Sequence, residues 1–380
     1  MADSVQIARG LEGVVVARSS VSFVDGMTGR LLYQGYDIRD LARYGSFEEV
    51  AYLLWHGRLP DSRALDRLKE ELVAQRGLPA ELRQVLSALP PRSSMAVLQA
   101  AVAALGALDP EADVQSPQAN LRKAVALTAR LATIVAAFHR LRRGLPDVAP
   151  DPELGHAANF LYMLAGERPD PYAARVMDVA LILHADHEFN ASCFAGRVTG
   201  STLSDMYSAV AAAVGALKGP LHGGANERVM KMLMELKGPE QAAEAVKARL
   251  AAGERIPGFG HRVYKTWDPR ALILKEHLQE LARRLGDSRW LDLAVAVETA
   301  VRNEKDLYPN VDFYSAPVYH MLGIPTDLFT PIFAVSRVAG WTAHLLEQYA
   351  DNRLIRPRAE YVGPMEARWV PLPDRPPENS

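Results

Sequence analysis

The strongest constraint on the fold of this chain is a helical repeat of apolar residues that covers most of its length. The repeat is clearest between residues 121 and 141, where one face carries Leu121, Val125, Thr128, Leu131, Ile134, Val135, Phe138 and Leu141. Comparable repeats predict further helices over residues 46–56, 95–108, 172–184, 203–217, 271–285, 290–303 and 337–350. Strand-like sequence is confined to residues 14–24 and 31–33, which flank a glycine-containing turn and predict a small hairpin. The sequence therefore predicts a mostly α fold with a short N-terminal β ribbon.

Clusters of glycine and proline divide the helical sequence. They lie at residues 218–220, 257–260 and 322–325, where each ends one helical repeat and redirects the next. We therefore expect a small helical domain, residues 219–325, to be inserted into a large helical domain. The large domain would consist of residues 1–218 and 326–380, and its proline-rich end predicts an extended C-terminal arm.

Local signals also fix one helix start. Ser46 and Glu49 have the spacing of a capping box, in which the serine side chain accepts from the backbone N–H of the glutamate and the glutamate side chain accepts from the backbone N–H of the serine. The helix of residues 46–56 is therefore expected to begin at Ser46.

Charge and composition exclude several classes of protein. The 380 residues include 43 Lys and Arg against 45 Asp and Glu, so a net charge of −2 provides no global positive field for nucleic acid or an anionic membrane. The longest uncharged stretch, residues 93–108, is shorter than the ~20 apolar residues that span a bilayer, and the first residues lack a signal-peptide core. We expect a cytoplasmic protein whose single cysteine, Cys193, cannot form an intrachain disulfide.

Common cofactor motifs are absent or incomplete in the sequence. A partial dinucleotide-binding motif begins at Gly258, but its third glycine position holds Val263 and no strand-like run precedes it. We expect no bound metal, since the chain lacks the second histidine of an HExxH zinc motif. A metal-dependent hydrolase nevertheless stays open, because His184, His187 and Glu188 would share one face if they lay on a helix.

Four polar segments place histidine, acid or arginine beside small residues that let a ligand approach. They span residues 184–190, 219–226, 258–270 and 310–315. Taken singly, His222, His261 and Asp312 could each be a capping or turn residue. Together the segments call for chemistry that uses two histidines, one carboxylate and several arginines, without a metal or a nucleotide loop.

These segments, with residues 329–337 and 356–358, resemble the citrate synthase family, which includes the 2-methylcitrate synthases. The resemblance runs in order from residue 10 to residue 363 and implies the multi-helical fold of that family. It implies that acetyl-CoA condenses with oxaloacetate and that the thioester is then hydrolysed to citrate and CoA. Asp312 matches the base that removes a methyl proton, His222 the donor to the thioester oxygen, and His261 the donor to the keto oxygen. Because a carboxylate with an ordinary pKa near ~3.9 is too weak to form a free enolate, such donors are required.

The resemblance also implies how the substrates are held. Guanidinium groups bind carboxylates in pairs of hydrogen bonds, and Arg270, Arg337 and Arg356 match the three arginines that bind oxaloacetate. His187 matches a histidine that contacts the keto acid, and the match of Arg356 implies a homodimer in which this arginine crosses to the partner's site. The predicted contacts to coenzyme A are Ile256, Gly258, Gly260 and Lys265.

Closure of the two predicted domains around oxaloacetate would exclude water and complete the CoA site, which predicts ordered binding. No cofactor is expected to be bound permanently, and acetyl-CoA acts as co-substrate. A 2-methylcitrate synthase, using propionyl-CoA or both acyl-CoAs, stays open because one methylene changes binding by only ~1 to 3 kcal/mol. A non-catalytic helical scaffold is a further alternative, disfavoured because the acid, histidines and arginines are all present.

Overall fold

Sixteen α-helices make up most of the part of the chain that the computed structural model describes, residues 7–91 and 93–375. Helical residues account for 62% of the structure. The helices are α1 Ile38–Tyr44, α2 Phe47–His56, α3 Ser62–Gln75, α4 Ala80–Ala88, α5 Ser94–Leu108, α6 Pro117–Arg142, α7 His156–Ala165, α8 Pro171–His184, α9 Ala191–Ser201, α10 Met206–Lys218, α11 Ala225–Glu235, α12 Ala242–Ala251, α13 Pro269–Leu285, α14 Arg289–Lys305, α15 Val311–Met321 and α16 Phe329–Ala350. Short 3-10 turns occupy Arg9–Leu11, Pro239–Gln241, Thr326–Leu328 and Leu372–Asp374. The predicted fold class is confirmed.

The predicted β ribbon is also present. Strands β1 Ser22–Asp25, β2 Arg30–Tyr33 and β3 Tyr36–Asp37 form an antiparallel sheet in that order. The prediction that strand structure begins near residue 14 is wrong, because β1 begins at Ser22. Extended backbone becomes a strand only where its N–H and C=O groups find a ladder partner, and on the β1 side of the sheet the four residues of β2 pair with Ser22–Asp25.

Helix boundaries follow the local sequence signals closely. The capping box of α2 is formed, with the Ser46 side chain accepting from the Glu49 N–H and the Glu49 carboxylate accepting from the Ser46 N–H at 2.8 Å. The largest difference between a predicted and an observed helix start is at α16, which begins at Phe329 rather than at residue 337. Pro331 lies in the first turn of this helix, where a missing N–H costs no hydrogen bond, so the proline does not delay the start.

Helix α16 is the centre of the core and packs against α2, α6, α8, α9 and α10. Its Trp341 is among the largest fully buried side chains of the described residues. Helix α6 is the one described helix that is long and apolar enough to cross a membrane by length and composition. Of the window that meets this test, 83% is buried inside the protein, which is typical of a core helix.

The described chain divides into two compact units. Residues 19–354 form one unit, which contains the β ribbon and all sixteen α-helices named above. Within this unit, α11 to α15 pack largely on one another, and these helices lie inside the interval 219–325. Residues 7–18 and 355–375 belong to the second unit, and residues 355–375 contain no α-helix. The division into large and small domains stays a prediction.

Candidate active site

Two histidines from distant segments face each other in the first unit. His187 follows the end of α8, His261 precedes α13, and their ring centroids are 5.1 Å apart. The Tyr264 hydroxyl lies 3.2 Å from Nε2 of His187. Burial, with the nearby charge of Arg270, holds the pKa of His187 well below its usual value. His187 is therefore a neutral ring that can exchange a hydrogen bond with a polar ligand.

The protonation of His261 is set by its own loop. The backbone N–H groups of Val263 and Tyr264 lie 3.0 Å and 3.2 Å from Nδ1 of His261. A backbone N–H can only donate, so Nδ1 accepts and the proton of the neutral ring is on Nε2. Burial and Arg270 lower the pKa of His261 to about 4, which keeps the ring neutral at physiological pH. His261 is thus arranged as a neutral N–H donor.

His222 shows the opposite arrangement of its ring nitrogens. The backbone N–H of Ser192 donates to Nε2 of His222 at 3.3 Å, and the Ser192 hydroxyl lies 2.8 Å from the same atom. Trp341 Nε1 donates to that hydroxyl at 3.1 Å, which fixes its position. Burial and the charge of Arg337 lower the pKa of His222 to about 4. Because Nε2 accepts, the proton of the neutral ring is on Nδ1.

The glycine after His222 is required by close packing. A Cβ atom at Gly223 would lie 2.0 Å from the carbonyl oxygen of Leu217, at the end of α10. Gly224 then caps α11 with φ of 75°, a left-handed conformation that favours glycine. The pair of glycines therefore brings the His222 loop tightly against the end of one helix and the start of the next.

Arg270 is a buried arginine held by a buried aspartate. Nε and Nη2 of Arg270 donate to the two carboxylate oxygens of Asp268 at 3.0 Å and 2.8 Å. Asp268 is also the N-cap of α13, since Arg270 N–H donates to it at 3.0 Å. The far side of the guanidinium, at Nη1, is not engaged by this pair. Arg270 can therefore offer N–H donors to an anion while its own charge is paired.

Arg337 is almost fully buried on α16 with much less compensation. Its Nε donates to the carbonyl oxygen of His184 at 2.6 Å, and its guanidinium lies 4.6 Å from the ring centroid of Phe333. Burial lowers the pKa of Arg337 below its usual value, although Asp186 opposes this shift. A buried guanidinium held mainly by a carbonyl and a ring face favours an added anion.

Asp312 lies in the first turn of α15 and is half-buried. Burial raises its pKa to about 6, although the charges of Arg270 and Arg337 oppose the shift. The loop of residues 258–260, which precedes Asp312 in the chain, is tied to the start of α15. Asn310 N–H donates to the carbonyl of Gly258 at 2.9 Å, and a Cβ at Gly258 would lie 2.8 Å from Cβ of the residue after Asp312. Asp312 is therefore a carboxylate of raised basicity on a rigid support.

The two arginines relate these groups to one another. The charge of Arg337 acts on the pKa of His187, His222 and Asp312. The charge of Arg270 acts on the pKa of His187, His261 and Asp312. Charges perturb ionisation strongly only at short range, within about 10 Å at physiological salt. Residues from the loop before α11, from α13 and the loop before it, and from α15 and α16 therefore share one neighbourhood, which contains two buried arginines, neutral imidazoles and one carboxylate.

This combination can bind a dicarboxylate, donate hydrogen bonds to oxygens that gain negative charge, and remove a proton from carbon. The family model described as "Citrate synthase, C-terminal domain" matches residues 10–358. The chain belongs to the citrate synthase family. Citrate synthase 2 of Bacillus subtilis (strain 168) is 54% identical over 97% of this chain and 99% of the relative. The citrate synthase of Haloferax volcanii is 52% identical, again over 97% of this chain and 99% of the relative.

Solved structures agree with this membership of the citrate synthase family. The crystal structure of citrate synthase from Pyrobaculum aerophilum has a TM-score of 0.92 at 45% identity, over 97% of this chain and 95% of that one. A ternary complex of carboxymethyl coenzyme A and oxaloacetate with citrate synthase from Thermoplasma acidophilum has a TM-score of 0.92 at 36% identity, over 97% and 100%. A 2-methylcitrate synthase of Mycobacterium tuberculosis is 44% identical over 96% of this chain and 92% of the relative. The chain is thus an enzyme of the citrate synthase family, which catalyses a condensation of the transferase type.

Not every predicted site residue of this citrate synthase family member lies in the cluster. Ile256 is buried, and Lys265 is exposed, with its backbone N–H donating to the Gly26 carbonyl at 2.8 Å. Gly260 N–H donates to the carbonyl of Tyr308 at 3.0 Å, which closes the loop onto the segment before α15. Arg356 belongs to the second unit and is exposed there, so its role stays a prediction.

The interpretation of His184, His187 and Glu188 as a metal site rests on a wrong premise. Helix α8 ends at His184, and Glu188 has φ of 56°, so the three side chains do not share a helical face. His184 is fully buried and its Nδ1 donates to the carbonyl oxygen of Ala180 at 2.7 Å. Within residues 7–91 and 93–375, no group of three or more His, Cys, Asp or Glu side chains is arranged to hold a metal ion.

Sequence reasoning missed the residues that support the predicted ones. Asp268, Ser192 and Tyr264 hold Arg270, His222 and His187 respectively, and none was assigned a role. Asp268 and Tyr264 lie inside the segment 258–270, so that segment carried the only local signal. For Ser192 the signal was weaker, since a serine at the start of a helix is most often part of its cap.

Proposed function

We propose that this protein condenses acetyl-CoA with oxaloacetate and hydrolyses the resulting thioester to give citrate and CoA. Membership of the citrate synthase family, with relatives 54% and 52% identical over nearly their full length, supports the reaction class. The single observation that carries the assignment of residues is the hydrogen-bond pattern of the two imidazoles: Nε2 of His222 and Nδ1 of His261 accept from backbone N–H groups, which leaves Nδ1–H of His222 and Nε2–H of His261 to donate to a substrate.

In the proposed mechanism, Asp312 removes a proton from the acetyl methyl group. A pKa of about 6 makes this carboxylate a stronger base than an ordinary aspartate, but still far too weak to form a free enolate. The negative charge that develops on the thioester oxygen must therefore be stabilised at the same moment. His222 is proposed to do this from Nδ1–H, since its Nε2 accepts from Ser192.

The carbon nucleophile then attacks the keto carbon of oxaloacetate. His261 is proposed to donate from Nε2–H to the keto oxygen, because its Nδ1 is occupied by two backbone N–H groups. As the C–C bond forms, the keto oxygen takes the electron pair of the former C=O bond and the proton from His261. The proton that Asp312 took from the methyl group balances the one that His261 gives up, and its return to the imidazole by way of solvent would reset both groups. Water then hydrolyses the thioester of the product, releasing CoA as a thiol.

Substrate binding is proposed to depend on charge. Arg270 and Arg337 would bind the carboxylates of oxaloacetate, with His187 contacting the keto acid between them. The partner's Arg356 would complete the site in a homodimer, a role supported by the family resemblance of residues 356–358. The tight loop that contains Ile256, Gly258 and Gly260, with the exposed Lys265 after it, would contact coenzyme A.

Domain closure is proposed to order the reaction. The mutual packing of α11 to α15 supports a small domain of residues 219–325, which carries His222, His261, Arg270 and Asp312. The large domain of residues 1–218 and 326–380 carries His187 and Arg337. A dianion bound by arginines of both domains would draw the cleft shut and exclude water before enolisation.

A second candidate is 2-methylcitrate synthesis from propionyl-CoA. It is favoured by the 2-methylcitrate synthase of Mycobacterium tuberculosis at 44% identity and by a citrate/2-methylcitrate synthase of Bacillus subtilis at 42%. The deciding experiment compares kcat/KM for acetyl-CoA and propionyl-CoA with saturating oxaloacetate, followed by release of free thiol. We expect acetyl-CoA to be preferred, and a tenfold preference for propionyl-CoA would overturn that choice.

The same assay tests the assigned chemistry. Activity is expected to survive exhaustive chelation in full, since no step uses a metal. Asp312→Asn is expected to bind oxaloacetate but to lose exchange of deuterium into the acetyl methyl group, because only the base is removed. Release of thiol by neither acyl-CoA would favour the non-catalytic scaffold.

A further inference from the structure

Asp268 makes more contacts than a helix N-cap requires. One carboxylate oxygen accepts from the N–H and from Nε of Arg270, both at 3.0 Å. The other accepts from Nη2 of Arg270 at 2.8 Å and from the backbone N–H of Val311 at 3.0 Å. The side chain is almost completely buried, with an exposure of 1%. A single carboxylate thus joins an arginine of α13 to the first residue of α15.

The two partners of Asp268 both belong to the candidate active site or adjoin it. Arg270 is one of the two buried arginines of the site, and Val311 immediately precedes Asp312. The hydrogen bonds from Nε and Nη2 of Arg270 to Asp268 are charge-assisted and fix the plane of the guanidinium, so that Nη1 is left for a ligand. The hydrogen bond from the Val311 N–H to Asp268 fixes the N-terminus of α15. Asn310, the residue before Val311, ties the start of the helix to a different segment, the loop of residues 258–260.

We propose that Asp268 is a positioning residue that locks the Arg270 guanidinium and the start of α15 into one arrangement, so that bound oxaloacetate and the Asp312 carboxylate are aligned for carbon–carbon bond formation. This inference rests on the proposed function. Asp268 touches no substrate in it and acts through Arg270 and Val311.

The negative charge of Asp268 also acts on the pKa of Asp312, an effect that a purely structural residue would not have. The charged groups that act on Asp312 are Arg270 and Asp268 of α13, Arg228 of α11 and Arg337 of α16, and Tyr319 of its own helix is affected by it in turn. Burial raises the pKa of Asp312 most, the arginines lower it and the negative charge of Asp268 raises it. Removing that negative charge leaves Arg270 uncompensated, so the pKa of Asp312 must fall.

The test is Asp268→Asn in the full-length enzyme, which keeps the shape of the side chain and removes its charge. We expect KM for oxaloacetate to rise roughly tenfold, since the guanidinium loses both charge-assisted bonds. We expect the acid limb of kcat to move to lower pH by about one unit, and the plateau of kcat to fall because the base is weaker. Asp268→Glu, which restores the charge but misplaces it, should return the acid limb towards wild type while KM stays raised.

Glu298→Gln is the matched control. Glu298 is also a buried carboxylate, and it holds α15 through the Tyr314 hydroxyl and α13 through Lys275, whose Nζ lies 2.8 Å away. Glu298 is not one of the charged groups, named above, that act most on the pKa of Asp312. This variant should leave the acid limb in place even if it lowers thermal stability, which separates a loosened helix from a lost charge.

An unshifted acid limb and an unchanged KM in folded Asp268→Asn would overturn the proposal. If that variant fails to fold, Asp268→Glu decides, because an unchanged KM there would overturn it equally. The carboxyl 13C resonance of Asp312, assigned by its loss in Asp312→Asn, reports the same ionisation without substrate. If wild type forms no product with either acyl-CoA, the proposed function fails, and the absence of a shift in this resonance in Asp268→Asn would separately reject the link between Asp268 and Asp312.

Discussion

Asp312→Asn should make the free protein more stable at neutral pH while it abolishes catalysis. Burial raises the pKa of Asp312 from 3.8 to about 6, so the folded state favours the protonated carboxyl. The stability that this group contributes is fully present below its unfolded pKa and is lost as the pH rises through about 6. An asparagine does not ionise and therefore keeps that contribution at every pH.

The size of the effect follows from the shift. A difference of about two pKa units corresponds to about 3 kcal/mol at about 1.4 kcal/mol per unit, and this is an upper limit because the side chain is partly open to water. The gain of Asp312→Asn over wild type should be near zero at pH 4, grow between pH 4 and 7, and level off above pH 7. Equilibrium unfolding in urea at a series of pH values, with substrate absent and protein concentration fixed, measures it.

Asp25→Asn provides a control with the opposite sign. The Asp25 carboxylate caps the β1–β2 turn, where hydrogen bonds from the Thr28 hydroxyl and from the backbone N–H groups of Met27 and Thr28 lower its pKa. Its stabilisation is present above its unfolded pKa and lost as the pH falls through the lowered one. Asp25→Asn should therefore weaken the protein at neutral pH, by an amount that shrinks in acid. A pH-independent difference for Asp312→Asn, or a loss of stability at pH 8, would refute the reasoning.

Three further changes test separate parts of the molecule. Ser192→Ala removes the hydroxyl beside Nε2 of His222 and should lower kcat by roughly tenfold, corresponding to about 1.4 kcal/mol, with KM for oxaloacetate little changed; steady-state rates check this, and an unaltered kcat would contradict it. Ser46→Ala removes the cap of α2 and should cost about 1 kcal/mol in urea unfolding with kcat preserved, whereas an unchanged midpoint would count against the cap. Mixing inactive Arg356→Ala and Arg337→Ala proteins should restore partial activity in heterodimers, and failure to do so would mean that the arm serves its own subunit.

The parts of the fold that the sequence predicted best are those determined by local chemistry. The repeat over residues 172–184 becomes α8 with one residue added, and the capping box of α2 forms as its spacing indicates. Both signals depend on residues within one or two turns of each other. The start of α16 was placed too late because the prediction relied on the repeat from residue 337 onwards and not on the compatibility of Pro331 with a first turn.

The contacts that organise the site could not be obtained in this way. Asp268 and Val311 are 43 residues apart, and Ser192 and His222 are 30 apart. Such bonds depend on how helices pack, and packing is not encoded by any short spacing. The same limitation explains the error over His184 and Glu188, since their spacing implies a shared face only if the helix continues, and α8 ends at His184.

The two buried arginines link substrate binding to basicity. Arg270 and Arg337 lower the pKa of Asp312 and of His187, and each also lowers that of one proposed donor, His261 or His222 respectively. A dianion bound between the guanidinium groups offsets their positive field, so we infer that the pKa of Asp312 rises when oxaloacetate binds. The base is then strongest only in the complex, where the acceptor for its carbanion is already in position. Comparison of the acid limb of kcat/KM for oxaloacetate, which reports the free enzyme, with that for acetyl-CoA at saturating oxaloacetate measures this difference. If the acid limb lies at the same pH in both kcat/KM profiles, closure of the domains, rather than charge, imposes the order of binding.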